Sequence, residues 1–138
     1  MVRQGLLRAV TRATAGLVLA VTLTLAAGCN NAPLKMSAIQ LGKSLNSDNS
    51  VGNHATTFKP SDTVYAAVLT NESGAGAIEA KWYYGSTRVS EMKKEVSYHG
   101  EAATEFRFHN TAGLPPGAYR VEFYIDGQPV GERTFKIE

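Results

Sequence analysis

The sequence predicts an all-β fold, an antiparallel β-sandwich of about seven strands that follows an N-terminal leader. Three observations carry this prediction. Short runs of β-branched and aromatic residues alternate with turn-forming clusters after residue 35. No segment in this part repeats apolar residues at helical spacing over three turns. The remaining length, about 100 residues, is sufficient for one domain of this kind.

The first two predicted strands are Met36–Leu45 and residues 63–70, and a polar turn cluster precedes the second of them. The first strand ends at residues 46–50, where Asn, Ser and Asp form another turn cluster. The second strand is apolar on both faces, so we expect it in the centre of a sheet. Residues 71–76 contain two glycines and predict a flexible loop.

Residues 78–84 give the clearest strand, because the side chains alternate with period two and both charged residues fall on the same face. Trp82 lies in the middle of the apolar face, and we interpret it as a core residue. A turn at residues 85–87 leads into a polar strand, or two short ones, over residues 88–96, whose charges are typical of a solvated sheet edge. Residues 104–109 follow as another strand with two phenylalanines on one face.

The last two strands surround a strong hairpin signal, Asp126-Gly127. The strand before it has a core face that includes Phe123, and residues 129–137 form the final strand. Val130 and Phe135 have opposite parity and cannot both face the core along an unbroken strand. We therefore predict a β-bulge at Gly131.

The segment Leu114-Pro115-Pro116-Gly117-Ala118-Tyr119 resembles the tyrosine corner of fibronectin type III and immunoglobulin-like sandwiches. The resemblance implies that the hydroxyl of Tyr119 bonds to upstream backbone, and that residues 36–138 form an immunoglobulin-like domain without the antibody-type disulfide. The stretches FKPSDTVY (58–65), KWYY (81–84) and PGAYRVEFYIDG (116–127) are also similar to small bacterial lipoproteins of unassigned function.

The N-terminus has the layout of a secretory signal peptide over residues 1–28. Three arginines precede an uncharged stretch, residues 13–27, and small residues follow it up to Gly28. A permanent membrane span is the weaker interpretation, because the apolar stretch is shorter than about 20 residues.

The sequence Leu25-Ala26-Ala27-Gly28-Cys29 resembles the lipobox of bacterial lipoprotein precursors. Members of that class more often have Leu three residues before the cysteine, where this chain has Ala26. The resemblance implies cleavage between Gly28 and Cys29, lipidation of Cys29 with acyl chains such as palmitate, and a place in the bacterial cell envelope. Asn30 favours sorting to the outer membrane in Gram-negative members. Ordinary secretory cleavage is the alternative. Residues 29–35 are expected to be the lipidated cysteine and a short tether.

Charge gives no sign of a nucleic-acid partner. Three of the 14 Lys and Arg residues precede Cys29 and none of the 12 acidic residues does, so the part after the leader carries about −1. His54, His99 and His109 lack metal-ligand spacing, and no catalytic or phosphate-binding motif is present. We therefore expect a protein that is not an enzyme and has neither a metal nor a cofactor.

The candidate binding face joins the two clearest strands, residues 78–84 and 119–125. If they are neighbours, as in this fold class, a cluster of aromatic and charged side chains meets on their outer face: Tyr83, Tyr124, Lys81, Arg120 and Glu122. The alternative is that these pairs only stabilise an exposed sheet face. A second candidate is a pair of loops, residues 71–76 and 113–117, expected at one end of the sandwich.

We expect a membrane-anchored envelope protein that acts as a non-catalytic interaction module and binds a partner protein. A domain that binds carbohydrate or cell wall is the main alternative, since exposed tyrosines can stack on sugar rings. A protease inhibitor is a third interpretation, which would require a rigid, protruding loop.

Overall fold

A computed structural model describes residues 32–138, and all of its regular structure is β-strand. The leader, Gly28 and Cys29 lie outside the described residues. The nine strands are β1 (Met36–Leu45), β2 (Val51–His54), β3 (Thr57–Phe58), β4 (Val64–Thr70), β5 (Gly74–Tyr84), β6 (Thr87–Tyr98), β7 (Ala102–Phe108), β8 (Gly117–Ile125) and β9 (Gln128–Ile137). No stretch of residues 32–138 forms an apolar helix long enough to cross a membrane.

The strands form two sheets, with the orders β2-β1-β4-β7 and β3-β9-β8-β5-β6. All pairings are antiparallel except that of β3 with β9. The predicted sandwich is confirmed, and β4 lies inside its sheet as expected. Two strands, β2 and β3, were not predicted, because they are short and become strands only by pairing with β1 and β9.

The space between the sheets is filled by apolar side chains from both inner faces. Trp82 is fully buried and stacks on Phe108, with 4.9 Å between ring centroids. Phe135 meets Trp82 edge-on at 5.9 Å and stacks on Tyr119 at 5.3 Å. Phe123 is also fully buried. These contacts place the aromatic part of the core under the connection between β7 and β8.

The tyrosine corner has the hydrogen bond that the resemblance implies. The Tyr119 hydroxyl donates to the carbonyl of Pro115 over 2.7 Å. A second tyrosine repeats the contact one residue later, since the Tyr84 hydroxyl donates to the carbonyl of Pro116 over 2.8 Å. Gly117 has a φ of 145°, and a Cβ there would lie 2.7 Å from the Tyr84 ring. Only glycine therefore fits at this position.

The predicted turn and bulge in the last hairpin are both present. Asp126 and Gly127 have positive φ values of 50° and 80°, as a two-residue hairpin turn requires. Phe123 pairs with Gly131, whereas the next residue, Tyr124, pairs with Pro129. Val130 therefore has no residue opposite it and is the inserted residue of the bulge. The bulge thus lies one position before Gly131. A Cβ on Gly131 would be 2.7 Å from the Ile39 side chain of the other sheet.

The structure corrects two expectations, one about residues 71–76 and one about residues 32–35. Residues 71–76 are not one loop, because β5 already begins at Gly74. Residues 32–35 are not a free tether: Pro33 forms a parallel bridge with Ala75, and Leu34 is 6% exposed. The reason is that β5 extends beyond the end of β8, where Ile78 pairs with Ile125, and leaves backbone that Pro33 can pair with.

The sandwich has two ends, which we call lower and upper. The chain enters at the lower end, where the backbone N–H of Ala75 donates to the carbonyl of Ala32 over 3.0 Å. The turn at Asp126 lies at this end too, bonded to Ala77. The upper end holds Tyr84, residues 113–117 and the last residue, Glu138. The two loops that were expected together therefore lie at opposite ends, because β5 runs the length of the sandwich between them.

Candidate binding surfaces

The predicted neighbours β5 and β8 are paired, which brings the five candidate residues together on the outer face of the five-stranded sheet. Tyr83 lies opposite Arg120, and Lys81 lies opposite Glu122. Tyr124 follows two positions after Glu122 and shares its face. We call this cluster the tyrosine face. All five residues are half-buried.

Each tyrosine ring of this face is covered by a cation from the neighbouring strand. The Lys81 ammonium lies 4.4 Å from the ring centroid of Tyr124. The guanidinium carbon of Arg120 lies 4.5 Å from the ring centroid of Tyr83. Both distances are within the range of cation–π attraction. The aromatic and charged side chains therefore form interlocked pairs rather than separate exposed rings.

Glu122 joins the two pairs into one network. One carboxylate oxygen accepts from Arg120 over 2.9 Å, and the other accepts from the Tyr124 hydroxyl over 2.7 Å. The hydrogen bond from Tyr124, reinforced by Arg120, lowers the pKa of Glu122 below its ordinary value. The same bond raises the pKa of Tyr124 to about 12. These shifts favour the charged form of the Glu122 carboxylate and the neutral form of the Tyr124 phenol.

The outer face of the four-stranded sheet is different, because the β1–β2 hairpin folds back over it. Ala67 points away from the core yet is fully buried, and Val51 is 2% exposed. The backbone N–H of Val51 donates to the side chain of Gln40 over 2.9 Å. Ala67 on the four-stranded sheet is thus covered, whereas all five residues of the tyrosine face keep part of their surface exposed.

A second surface, which the sequence did not predict, is a cleft of about 420 Å³ at the upper end. It lies between the start of β6 and the end of β7, below the connection to β8. We call it the upper cleft, and its lining residues are Tyr84, Val89, Ser90, Arg107, Phe108, His109, Asn110, Leu114, Pro115 and Tyr119. Tyr84 and Val89, 38% and 45% exposed, are the large apolar side chains that residues 32–138 leave exposed.

A β-bulge explains the exposure of Val89. Trp82 pairs with Ser90 and Tyr83 pairs with Arg88, so Val89 has no residue opposite it. Such a bulge changes the direction of a side chain and bends the strand. One signal in the sequence could have indicated this site: Val89 is the single large apolar residue between positions 85 and 91.

The histidines do not form a metal site. Among residues 32–138, no three His, Cys, Asp or Glu side chains come together in a way that could hold a metal ion. His109 lines the upper cleft, whereas His54 lies beside a shallow depression near β1. His99 is in the connection between β6 and β7, at the lower end.

Comparisons with known proteins identify the fold class of this chain but no family. No protein-family model and no curated protein sequence matches the chain. An immunoglobulin-like protein from Pseudomonas aeruginosa is similar in structure, with a TM-score of 0.54, 12% identity, and coverage of 79% of this chain and 99% of that one. A weaker match is an alkylpurine DNA glycosylase from Pseudomonas fluorescens bound to DNA, with a TM-score of 0.46, 10% identity, and coverage of 72% of this chain and 30% of that one. Another is a β-glucosidase from Listeria innocua, with a TM-score of 0.43, 12% identity, and coverage of 72% of this chain and 16% of that one. At these identities the likeness establishes an immunoglobulin-like fold.

Proposed function

We propose that this chain is a lipid-anchored protein of the bacterial cell envelope, whose immunoglobulin-like domain is a non-catalytic module that binds a partner protein. The anchor is Cys29, and in a Gram-negative cell the domain faces the periplasm from the outer membrane. The single observation that carries the binding function is the tyrosine face, an uncovered sheet surface that combines aromatic area with both signs of charge.

The chemistry of this face favours a protein over a sugar. Stacking on a sugar needs an open aromatic ring face, and Lys81 and Arg120 each cover a face of one ring. Tyrosine and arginine are enriched in protein interfaces, where the ring supplies apolar area and the charge supplies specificity. A protease inhibitor is less favoured, because the longest connection, residues 109–116, is held down by buried Leu114 rather than protruding.

The anchor is supported by the sequence at the lipobox and by the way the domain begins. Only two residues separate Cys29 from Ala32, where the chain docks on β5. Three residue steps span at most about 11 Å. An acylated Cys29 would therefore hold the lower end of the sandwich close to the bilayer and leave the tyrosine face accessible from the side.

Photocrosslinking in intact cells tests this function. A photoreactive amino acid at position 83 or 124 is expected to capture one discrete partner protein. The matched control is Tyr65, which lies on the outer face of the other sheet under Arg107, 5.6 Å from its ring centroid. Equal capture from positions 65 and 83, or capture from neither 83 nor 124, would contradict the proposed binding face.

Fractionation of the same cells tests the anchor. Cys29→Ala is expected to move the protein from the membrane fraction to the soluble envelope fraction. The variant has no cysteine to carry acyl chains, and stable anchoring requires more than one chain. A protein that stays in the membrane fraction after this substitution would refute lipidation as the means of attachment.

A further inference from the structure

We propose that the upper cleft is a second binding site, which takes an extended peptide segment of a partner protein as an added strand on the free edge of β7. An apolar side chain of that segment occupies the cleft, and a carboxylate beside it meets Arg107 and His109. The inference deepens the proposed protein-binding function, but the cleft shares no residue with the tyrosine face.

The first argument is the free backbone edge of β7. This strand pairs with β4 on one side only and is the last strand of its sheet. The Lys94 ammonium donates to the backbone carbonyl of Glu105, so this carbonyl points to the free edge. In an antiparallel ladder both backbone groups of a residue point the same way, and every second residue repeats this direction. Arg107 therefore presents its N–H and C=O to the free edge beside the cleft.

The second argument is that only the upper half of this edge is open. In the lower half Lys94 reaches across from β6 to Glu105, and the hydroxyls of Tyr98 and Thr104 are 2.7 Å apart. These contacts close the gap between the two edge strands. In the upper half the two strands are separated by the cleft, where Val89 and Tyr84 expose apolar surface. In this half of the edge, an added strand would find both backbone partners and an apolar pocket.

The third argument is charge. The ten lining residues include Arg107 and His109 but neither Asp nor Glu. The Nε of Arg107 is bonded to Glu105 over 3.2 Å, and its two terminal nitrogens carry further donors that can bind a second carboxylate. The floor of the cleft is Phe108, which is fixed by its stack on Trp82. An acidic, apolar, extended segment therefore matches the site.

Synthetic octapeptides and the full chain, purified in a mild detergent, test the inference. The probe is a fluorescent peptide of alternating Thr and Val with a central Leu between two Asp residues. We expect it to bind with an anisotropy change, and we expect roughly tenfold weaker binding when both Asp residues are Lys or when alternate backbone nitrogens are methylated. Methylation removes strand hydrogen bonds but keeps the side chains.

Variants of the protein locate the binding. Val89→Asp should weaken binding of the acidic peptide by roughly tenfold, since it removes apolar surface and repels the carboxylates. Ser97→Asp places the same charge on the same strand in the closed half, and affinity should stay within about twofold. Both positions are exposed, so both variants should fold.

Any of three results with the peptide would overturn the inference: no binding of the acidic octapeptide, binding that Val89→Asp does not change, or binding that tolerates backbone methylation. A chain that instead dimerises in analytical ultracentrifugation, with Val89→Asp abolishing the dimer, would assign the cleft to a second copy and refute the peptide site. Crosslinks from the tyrosine face without peptide binding would keep the proposed function and refute this inference alone.

Discussion

The upper and lower halves of the gap between β6 and β7 are built from the same two edge strands, yet they differ in what fills them. The lower half is closed by Lys94 with Glu105 and by Tyr98 with Thr104. The upper half is a cleft with exposed apolar side chains. Edge strands are commonly protected by charged side chains, and lysine is a frequent choice. Here that protection stops halfway along the edge.

The comparison shows that the cleft does not result from loose packing of the core beneath it. Directly beneath the open half lies a cluster of four aromatic rings, Trp82, Phe108, Tyr119 and Phe135, each of which contacts two of the others. The bulge at Val89 widens the gap on the side of β6, while the tyrosine corner fixes the connection above it. Rigid surroundings with an open edge are what a preformed binding site needs.

The largest expected contrast between the halves concerns the two phenylalanines of β7. Phe106 is fully buried beneath the closed half, so Phe106→Ala should destabilise the protein by about 3–5 kcal/mol. Phe108 is half-buried below the cleft, and Phe108→Ala should cost roughly half as much, because less apolar area returns to water. Urea unfolding of the full chain measures both. Equal losses would mean that the two halves are packed alike.

A smaller contrast concerns two tyrosine hydroxyls. Tyr98→Phe removes the bond to buried Thr104 and should cost about 0.5–1.5 kcal/mol. Tyr84→Phe removes a bond to the carbonyl of Pro116 at an exposed position and should cost less, because water can replace the lost donor. Thermal unfolding of the two variants side by side gives the comparison. A larger loss for Tyr84→Phe would indicate that the upper half depends more on its polar contacts.

The smallest expected effect is the pH dependence of the closed half. Burial opposes ionisation of Glu105, but hydrogen bonds from Lys94 and Arg107 outweigh it and lower the pKa of this carboxyl below 4.5. The folded state therefore gains stability from Glu105 above that value, and loses it as the pH falls through the lowered pKa. The gain should be less than about 1 kcal/mol. Glu105→Gln should flatten the decline in unfolding free energy below pH 4.5, and an unchanged slope would contradict this assignment.

The sequence predicted what depends on alternation along one strand. Counting parity gave the inner and outer faces of β5 and β8 and the need for a bulge near Gly131. That β5 and β8 are neighbours came from the fold resemblance, and the register that sets Tyr83 opposite Arg120 came only from the structure. Parity states which face a side chain occupies but not which end of the sandwich it reaches. For this reason residues 71–76 and 113–117 were placed together, although β5 separates them.

Features that need a second segment in space could not be predicted from local patterns. Leu34 is buried because β5 extends beyond β8, and this length difference depends on where Asp126 turns the chain. The upper cleft depends on a bulge in β6 and on the free edge of β7, which belong to different sheets. A single apolar residue, Val89, was the only local sign of it.

The first and last described residues lie at opposite ends of the sandwich, and this has a mechanical consequence. The described chain enters at Ala32 at the lower end and reaches Glu138 at the upper end, where its backbone N–H donates to Phe58. Tension between these points pulls β1 and β9 along their own axes in opposite directions. The ladder hydrogen bonds lie across the strands and are loaded together in shear rather than opened one after another. A domain held at one end and pulled through the other would therefore resist force as a unit.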